Sequence, residues 1–169
     1  MTGIFLIGFM GVGKSTVGKA LAHATQRPFV DLDAQIVARI GMPIAHFFAE
    51  KGEAAFRQIE NELLVAAVDS KAVISTGGGI VLAEANRKVL QRHPHVVYLT
   101  AEPATLLERI RNDQDNVRPL AQDKTDAEVV ATHTFRQPFY QQSASLRIDT
   151  TNKTIAQIVT EIMEGLEKA

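Results

Sequence analysis

Cysteine is absent from this 169-residue chain. That removes disulfide scaffolds, zinc–thiolate sites, iron–sulfur clusters and cysteine nucleophiles. An excess of one charge is also missing, because 18 Lys and Arg stand against 19 Asp and Glu for a net charge of −1. A dedicated nucleic-acid or anionic-membrane binder would carry a stronger electrostatic footprint, so any anionic ligand has to be held by a local cluster of positive groups. No apolar run approaches the roughly 18–20 residues of a membrane-spanning helix. The run over 4–10 has no basic region before it and leads into Gly13-Lys14-Ser15 where a cleavage site would fall, so it reads as a buried strand and turn rather than a leader. Repeats and low-complexity tracts are lacking. His23, His46, His93, His95 and His133 show no zinc-ligand spacing, and His93-Pro94-His95 reads as the exposed end of a helix. No catalytic histidine is assigned.

What is present is 46% hydrophobic residues, enough for one core in one domain over 1–169. The composition suits a cytoplasmic globular protein. Short apolar runs alternate with amphipathic ones, the rhythm of an α/β domain with a mostly parallel sheet. Strands are predicted at 4–7, 29–32, 72–76, 96–99 and 146–148. Helices are predicted at 14–25, 34–40, 44–50, 53–69, 83–92, 103–111 and 126–135. A last helix begins at 155, behind a capping box of Thr154 and Gln157. The polar stretch from Asn112 to Thr125 breaks the rhythm and ends at a second capping-box pattern, Thr125 and Glu128. On local pattern it is either a lid over a site or a solvated connection.

Directly after the first predicted strand, and opening a predicted helix, comes Gly8-Phe9-Met10-Gly11-Val12-Gly13-Lys14-Ser15, the P-loop pattern. Glycines let successive backbone N–H groups curl around phosphate oxygens, while the helix amino end adds partial positive charge. Lys14 is placed to reach the β- and γ-phosphates of ATP, Ser15 to ligate Mg²⁺, and Thr16 to donate toward the α-phosphate. A guanine-reading Asn-Lys-x-Asp is missing, since Asn152-Lys153 continues as Thr154-Ile155. An AAA-type motor needs more chain. A small kinase remains.

Asp31 and Asp33 flank Leu32 at the carboxy end of the second predicted strand, the edge where open α/β sheets bind ligands. One can serve Mg²⁺ or an incoming hydroxyl and the other a substrate hydroxyl; alternatively, Asp33 only caps the following helix. Gly77-Gly78-Gly79 follows the third strand, as a flexible turn or as a close backbone approach to a ligand. Arg57 has Glu53 at i−4 and Glu60 at i+3. That is either a surface ion-pair ladder or an arginine oriented by Glu60 for a bidentate grip on a carboxylate.

Taken together and in this order, the P-loop, Asp31-Leu32-Asp33, Phe56-Arg57-x-x-Glu60, Gly77-Gly78-Gly79, Val117-Arg118-Pro119-Leu120 and Arg136-Gln137-Pro138-Phe139-Tyr140 resemble the shikimate kinases over essentially the whole chain. The resemblance implies a three-layer α/β/α P-loop kinase with a five-stranded parallel sheet in the order 2-3-1-4-5, helices on both faces, a lid over about 112–125 and a substrate-binding helical segment over about 33–61. It implies ATP-dependent phosphorylation of the 3-hydroxyl of shikimate, with Mg²⁺, by a monomer that needs neither nucleic acid nor membrane. A kinase acting on a sugar acid such as gluconate is the alternative. Carried over, Lys14, Asp31 and Arg118 are catalytic, with Asp31 beside Mg²⁺, through water, and Arg118 on the lid. Gly11, Val12, Gly13, Lys14, Ser15, Thr16, Arg111, Arg118, Asn152 and Lys153 contact the nucleotide, Arg111 by stacking on adenine. Asp33, Arg57, Gly77, Gly78, Gly79 and Arg136 form the shikimate site, the two arginines on its carboxylate. Ala121 and Phe139 stand where the family commonly has leucine.

Overall fold

The computed structural model describes residues 2–112 and 124–168. Five strands, β1 (Ile4–Ile7), β2 (Phe29–Asp31), β3 (Val73–Ser75), β4 (Val96–Thr100) and β5 (Leu146–Asp149), form a parallel sheet in the order β2-β3-β1-β4-β5. All residues of β1, β3 and β4 are buried, as expected of parallel strands covered on both faces. Among the described residues the helices are α1 (Lys14–Thr25), α2 (Leu32–Ile40), α3 (Ile44–Ala67), α4 (Glu84–Arg92), α5 (Pro103–Asn112), α6 (Asp126–Ser143) and α7 (Ile155–Glu167). α1 packs with α7, and α4 packs with both α3 and α6. The main core runs through the sheet and its covering helices, while a smaller cluster of Ile36, Phe47 and Phe56 holds α2 to α3.

β1 has β3 on one side and β4 on the other, so its connections leave in opposite directions. That switch point opens a crevice at the carboxy ends of the strands. The P-loop, Asp31 and the triple glycine all emerge there, because β1, β2 and β3 end at Ile7, Asp31 and Ser75 in aligned register.

Several boundaries differ from the sequence expectation for physical reasons. β2 stops at Asp31 because its carboxylate accepts from the backbone N–H groups of Asp33 (3.0 Å) and Ala34 (3.4 Å), starting α2 at Leu32. Capping therefore falls to Asp31, not Asp33. The predicted helices 44–50 and 53–69 are one element, α3, whose break survives at Gly52 with φ 85° and ψ 168°. α6 continues past 135 and through Pro138 to Ser143. The proline removes a helical hydrogen bond, but the fully buried Tyr140 beyond it stacks on Tyr98 at 5.1 Å and anchors the last turns. His93 is a correction too: it is 6% exposed, its ring edge-on to Phe5 at 4.8 Å. The Thr154–Gln157 capping box is complete, whereas at Thr125 only half of the expected box forms: its hydroxyl accepts from Glu128 N–H and donates to the Glu128 carboxylate, which makes no bond back to the Thr125 backbone.

Candidate active site

The P-loop leaves β1 and enters α1 with Gly11 (φ 81°) and Gly13 (φ 96°) in the left-handed region that favours glycine. A Cβ at Gly8 would run into the carbonyl oxygen of Leu99, so the loop sits directly against β4. α1 has no side-chain cap at Gly13 and no acidic residue in its first turn. Its leading N–H groups and its dipole are thus presented to an anion. Val12 is buried, whereas Ser15 and Thr16 are exposed on the first turn. The Lys14 ammonium lies back over the loop, donating to the carbonyls of Gly8 (2.6 Å) and Phe9 (3.1 Å). Arg109 in α5, which nothing in the sequence pattern marks, donates to the Val12 carbonyl (3.2 Å) and the Thr150 hydroxyl (3.3 Å). It ties the P-loop to the turn that carries Asn152.

Beside the loop lies a second cluster. Burial, reinforced by the charge of Asp31, pushes the Asp33 carboxyl above its ordinary range, while Lys14 and Arg57 pull it back. Those four groups therefore share one electrostatic environment. A Cβ on Gly77 would lie 2.7 Å from Asp33 Oδ1, and one on Gly79 would lie 2.5 Å from Arg57 Nη2. The triple glycine is the surface against which both side chains rest, which favours the close-approach reading over a flexible turn.

Arg57 is 14% exposed and donates to Glu60 at 2.9 Å, with Glu53 at 3.4 Å; its guanidinium also lies over the rings of Phe56 and Phe48. Glu60 is 1% exposed, which removes the surface-ladder reading. Burial raises its pKa and Arg57 opposes the rise. The reason for its depth is Asn86, fully buried in α4, whose amide donates to Glu60 Oε1 and to the carbonyl of Ile80, both at 3.0 Å. Asn61 donates to Asn86 in turn at 2.9 Å. The i,i+3 spacing of Arg57 and Glu60 was the visible signal; Asn86, brought in from α4, had none.

Arg136 projects from α6 to the same place. Its Nη1 is 3.6 Å from where a Gly78 Cβ would stand, and its guanidinium lies 5.8 Å from the centre of the Phe9 ring. The site therefore brings together Lys14, Asp31, Asp33, Arg57, Gly77, Gly78, Gly79 and Arg136. Arg111 sits at the end of α5, donating to Asp126 (3.0 Å) and to the carbonyl of Lys124 (2.8 Å). Asn152 holds a left-handed turn with φ 57°, and the Lys153 ammonium pairs with Glu161 of α7 at 2.9 Å. Arg118, and the expected lid apart from Asn112, Lys124 and Thr125, lie outside the described residues.

Among the described residues no group of three or more His, Asp or Glu could hold a metal on its own. The donors fit Mg²⁺ that arrives on nucleotide phosphates, since Mg²⁺ keeps several waters and takes one or two protein oxygens. Ser15 offers a hydroxyl on the first turn of α1. Asp31 uses a single oxygen, Oδ1, for both capping bonds.

A phosphate cradle at the switch point of a parallel 2-3-1-4-5 sheet, next to a pocket with a carboxylate and two arginines, defines a P-loop kinase of the small-molecule class. The family model described as shikimate kinase matches residues 10–167. A shikimate kinase of Lactococcus lactis subsp. cremoris is 49% identical over 164 residues, covering 97% of this chain and 98% of the relative. The solved structure of the Acinetobacter baumannii shikimate kinase in complex with shikimate superposes with a TM-score of 0.90 at 32% identity, covering 99% of this chain and 94% of that one. The chain belongs to the shikimate kinase family. A gluconokinase from Sinorhizobium meliloti, with a TM-score of 0.59 at 20% identity, shares the fold alone.

Proposed function

We infer that this chain transfers the γ-phosphoryl group of ATP to the 3-hydroxyl of shikimate, giving shikimate 3-phosphate and ADP in the route to chorismate and the aromatic amino acids. The observation that carries this reading is the convergence of Asp33, Arg57 and Arg136 on Gly77–Gly79 directly beside the P-loop. Two guanidiniums suit one carboxylate, and the buried aspartate suits ring hydroxyls.

Phosphoryl transfer asks little covalent chemistry of the protein, so catalysis is alignment plus neutralisation of charge. In this assignment the N–H groups of residues 11–16 hold the phosphates, and Lys14 exchanges the loop carbonyls for the β- and γ-phosphate oxygens. Arg111, Asn152 and Lys153 lie on the nucleotide side. Asp33 accepts from the acceptor's hydroxyls while Arg57 and Arg136 fix its carboxylate. Ser15 and, through water, Asp31 would hold Mg²⁺, which would supply charge neutralisation on the nucleotide phosphates. Arg118 is assigned to the γ-phosphate from a lid over 112–125. Closure there excludes water and limits wasteful ATP hydrolysis.

We assign residues 1–169 to one domain, acting as a cytoplasmic monomer on small molecules without a nucleic-acid or membrane partner. The near-neutral charge supports this, and no described helix is long and apolar enough to cross a membrane. The activity is tested by ADP release with MgATP and either shikimate or gluconate. Turnover with shikimate is expected, and turnover with gluconate alone would overturn the reading.

A further inference from the structure

Tyr140 is fully buried, stacked on Tyr98 of β4 with an interplanar angle of 25°, and donates its hydroxyl proton to the carbonyl of Gly78 at 2.5 Å. One turn earlier on α6, Arg136 faces the same hydroxyl and the same glycine. A phenol has one proton, and here it is committed to Gly78. Any hydrogen bond between this oxygen and Arg136 therefore has the guanidinium as donor and the phenol oxygen as acceptor. Burial holds the phenol protonated far above physiological pH, so this polarity does not reverse. The Phe9 ring centre lies 5.8 Å from the Arg136 guanidinium, and Met10 N–H stands 3.5 Å from the Gly78 Cβ position.

We propose that Tyr140 is a positioning residue for substrate capture: its hydroxyl links Gly78 to Arg136, fixing the spacing between the glycine backbone and the guanidinium that receives the acceptor's carboxylate. The inference rests on the shikimate reading above. Asn86 performs the matching task on the other side, joining the Ile80 carbonyl to Glu60 and hence to Arg57. The turn is thereby braced from α6 at the Gly78 carbonyl and from α4 at the Ile80 carbonyl two residues on, each brace also serving one arginine. The phenol ring anchors the brace to the sheet, so Arg136 takes its position from β4 as well as from its own helix.

The test is Tyr140→Phe, which keeps the stacked ring and removes only the hydroxyl. Loss of a buried hydrogen bond is expected to raise KM for shikimate about tenfold, with KM for ATP little changed and the melting temperature lowered by only a few degrees. In an Arg136→Lys background the same substitution is expected to add nothing further to KM for shikimate, because its effect passes through Arg136. Unchanged KM for shikimate, a parallel rise in both KM values, or full additivity with Arg136→Lys would each overturn the proposal. A measurement on the wild-type protein covers the case in which the variant fails to fold. The Tyr140 hydroxyl proton, one of only two tyrosine hydroxyls in the chain, should shift in the NMR spectrum on adding shikimate but not ADP. Silence toward shikimate would overturn the proposal. Absence of wild-type turnover with shikimate would overturn the functional reading and this inference together, whereas turnover with an unresponsive Tyr140→Phe overturns the inference alone.

Discussion

Gly79→Ala is a substitution whose cost is set by position rather than by backbone. Gly79 has φ −96° and ψ 7°, which any residue adopts, so the new methyl brings no backbone strain. It would, however, lie 2.5 Å from Arg57 Nη2 and 3.1 Å from both Cζ and Nη1. Ordinary non-bonded contact begins near ~3.5 Å, so the guanidinium must retreat by about 1 Å. Retreat is opposed by the 2.9 Å bond to Glu60, itself held by Asn86, and by the Phe56 ring 5.0 Å away. A misplacement of about 1 Å in a positioning group costs about a hundredfold in rate, or about 2.7 kcal/mol of transition-state stabilisation. The loss is expected in kcat/KM for shikimate, with KM for ATP unchanged, because the proposed function assigns Arg57 to the acceptor and not to the nucleotide. Initial rates of ADP release at varied shikimate and saturating ATP measure it, alongside a thermal melt. A properly folded Gly79→Ala protein with wild-type kcat/KM for shikimate would refute the placement of Arg57 against this glycine.

Gly78→Ala provides the contrast: its methyl would find nothing closer than Met10 N at 3.5 Å, so the melting temperature should hold while KM for shikimate rises about tenfold through contact with the acceptor. A normal KM would place the acceptor elsewhere. Asp33→Asn should abolish shikimate binding, leave ADP affinity near normal and raise stability at neutral pH. The reasoning is that the folded-state pKa of Asp33 lies above its ordinary 3.8, so stability is greatest below that value and is lost as pH rises through the folded pKa, a loss the asparagine does not suffer. Thermal melts of both proteins between about pH 4 and pH 8 check the sign; a lower melting temperature for Asp33→Asn at pH 7 would contradict it. Arg118→Ala is expected to cut kcat about a thousandfold, the usual scale for an arginine on a transferring phosphoryl group. Binary shikimate affinity measured by calorimetry should stay near wild type, and an unchanged turnover number would remove Arg118 from the mechanism.

The parts of the site that were legible in the sequence are those in which strand, loop and helix are contiguous. The P-loop could be read because its glycines, lysine and serine sit between a buried strand and an amphipathic helix, and the structure puts them at the end of β1. Asp31 and Gly77–Gly79 were legible as strand-end residues for the same reason. The meaning of Arg57 was not settled by its own surroundings. Glu53 and Glu60 look alike in a helical pattern, yet Glu53 is 57% exposed and Glu60 1%. The difference is made by Asn86, 26 residues further on. Likewise the continuation of α6 through Pro138 depends on the stacking of Tyr140 on Tyr98, a contact between distant segments that no local propensity carries. The sheet order is of the same kind: strand spacing speaks for a parallel sheet, whereas the order 2-3-1-4-5 was expected only from the family resemblance.

The central claim is that two arginines from different helices, Arg57 of α3 and Arg136 of α6, meet one carboxylate above the triple glycine. A crystal structure with shikimate and ADP bound tests this most directly. Both guanidiniums are predicted to donate to the shikimate carboxylate, with Asp33 on the ring hydroxyls and the 3-hydroxyl facing the P-loop. A carboxylate bound by neither arginine, or a ring turned so that its 3-hydroxyl points away from Lys14, would contradict the account.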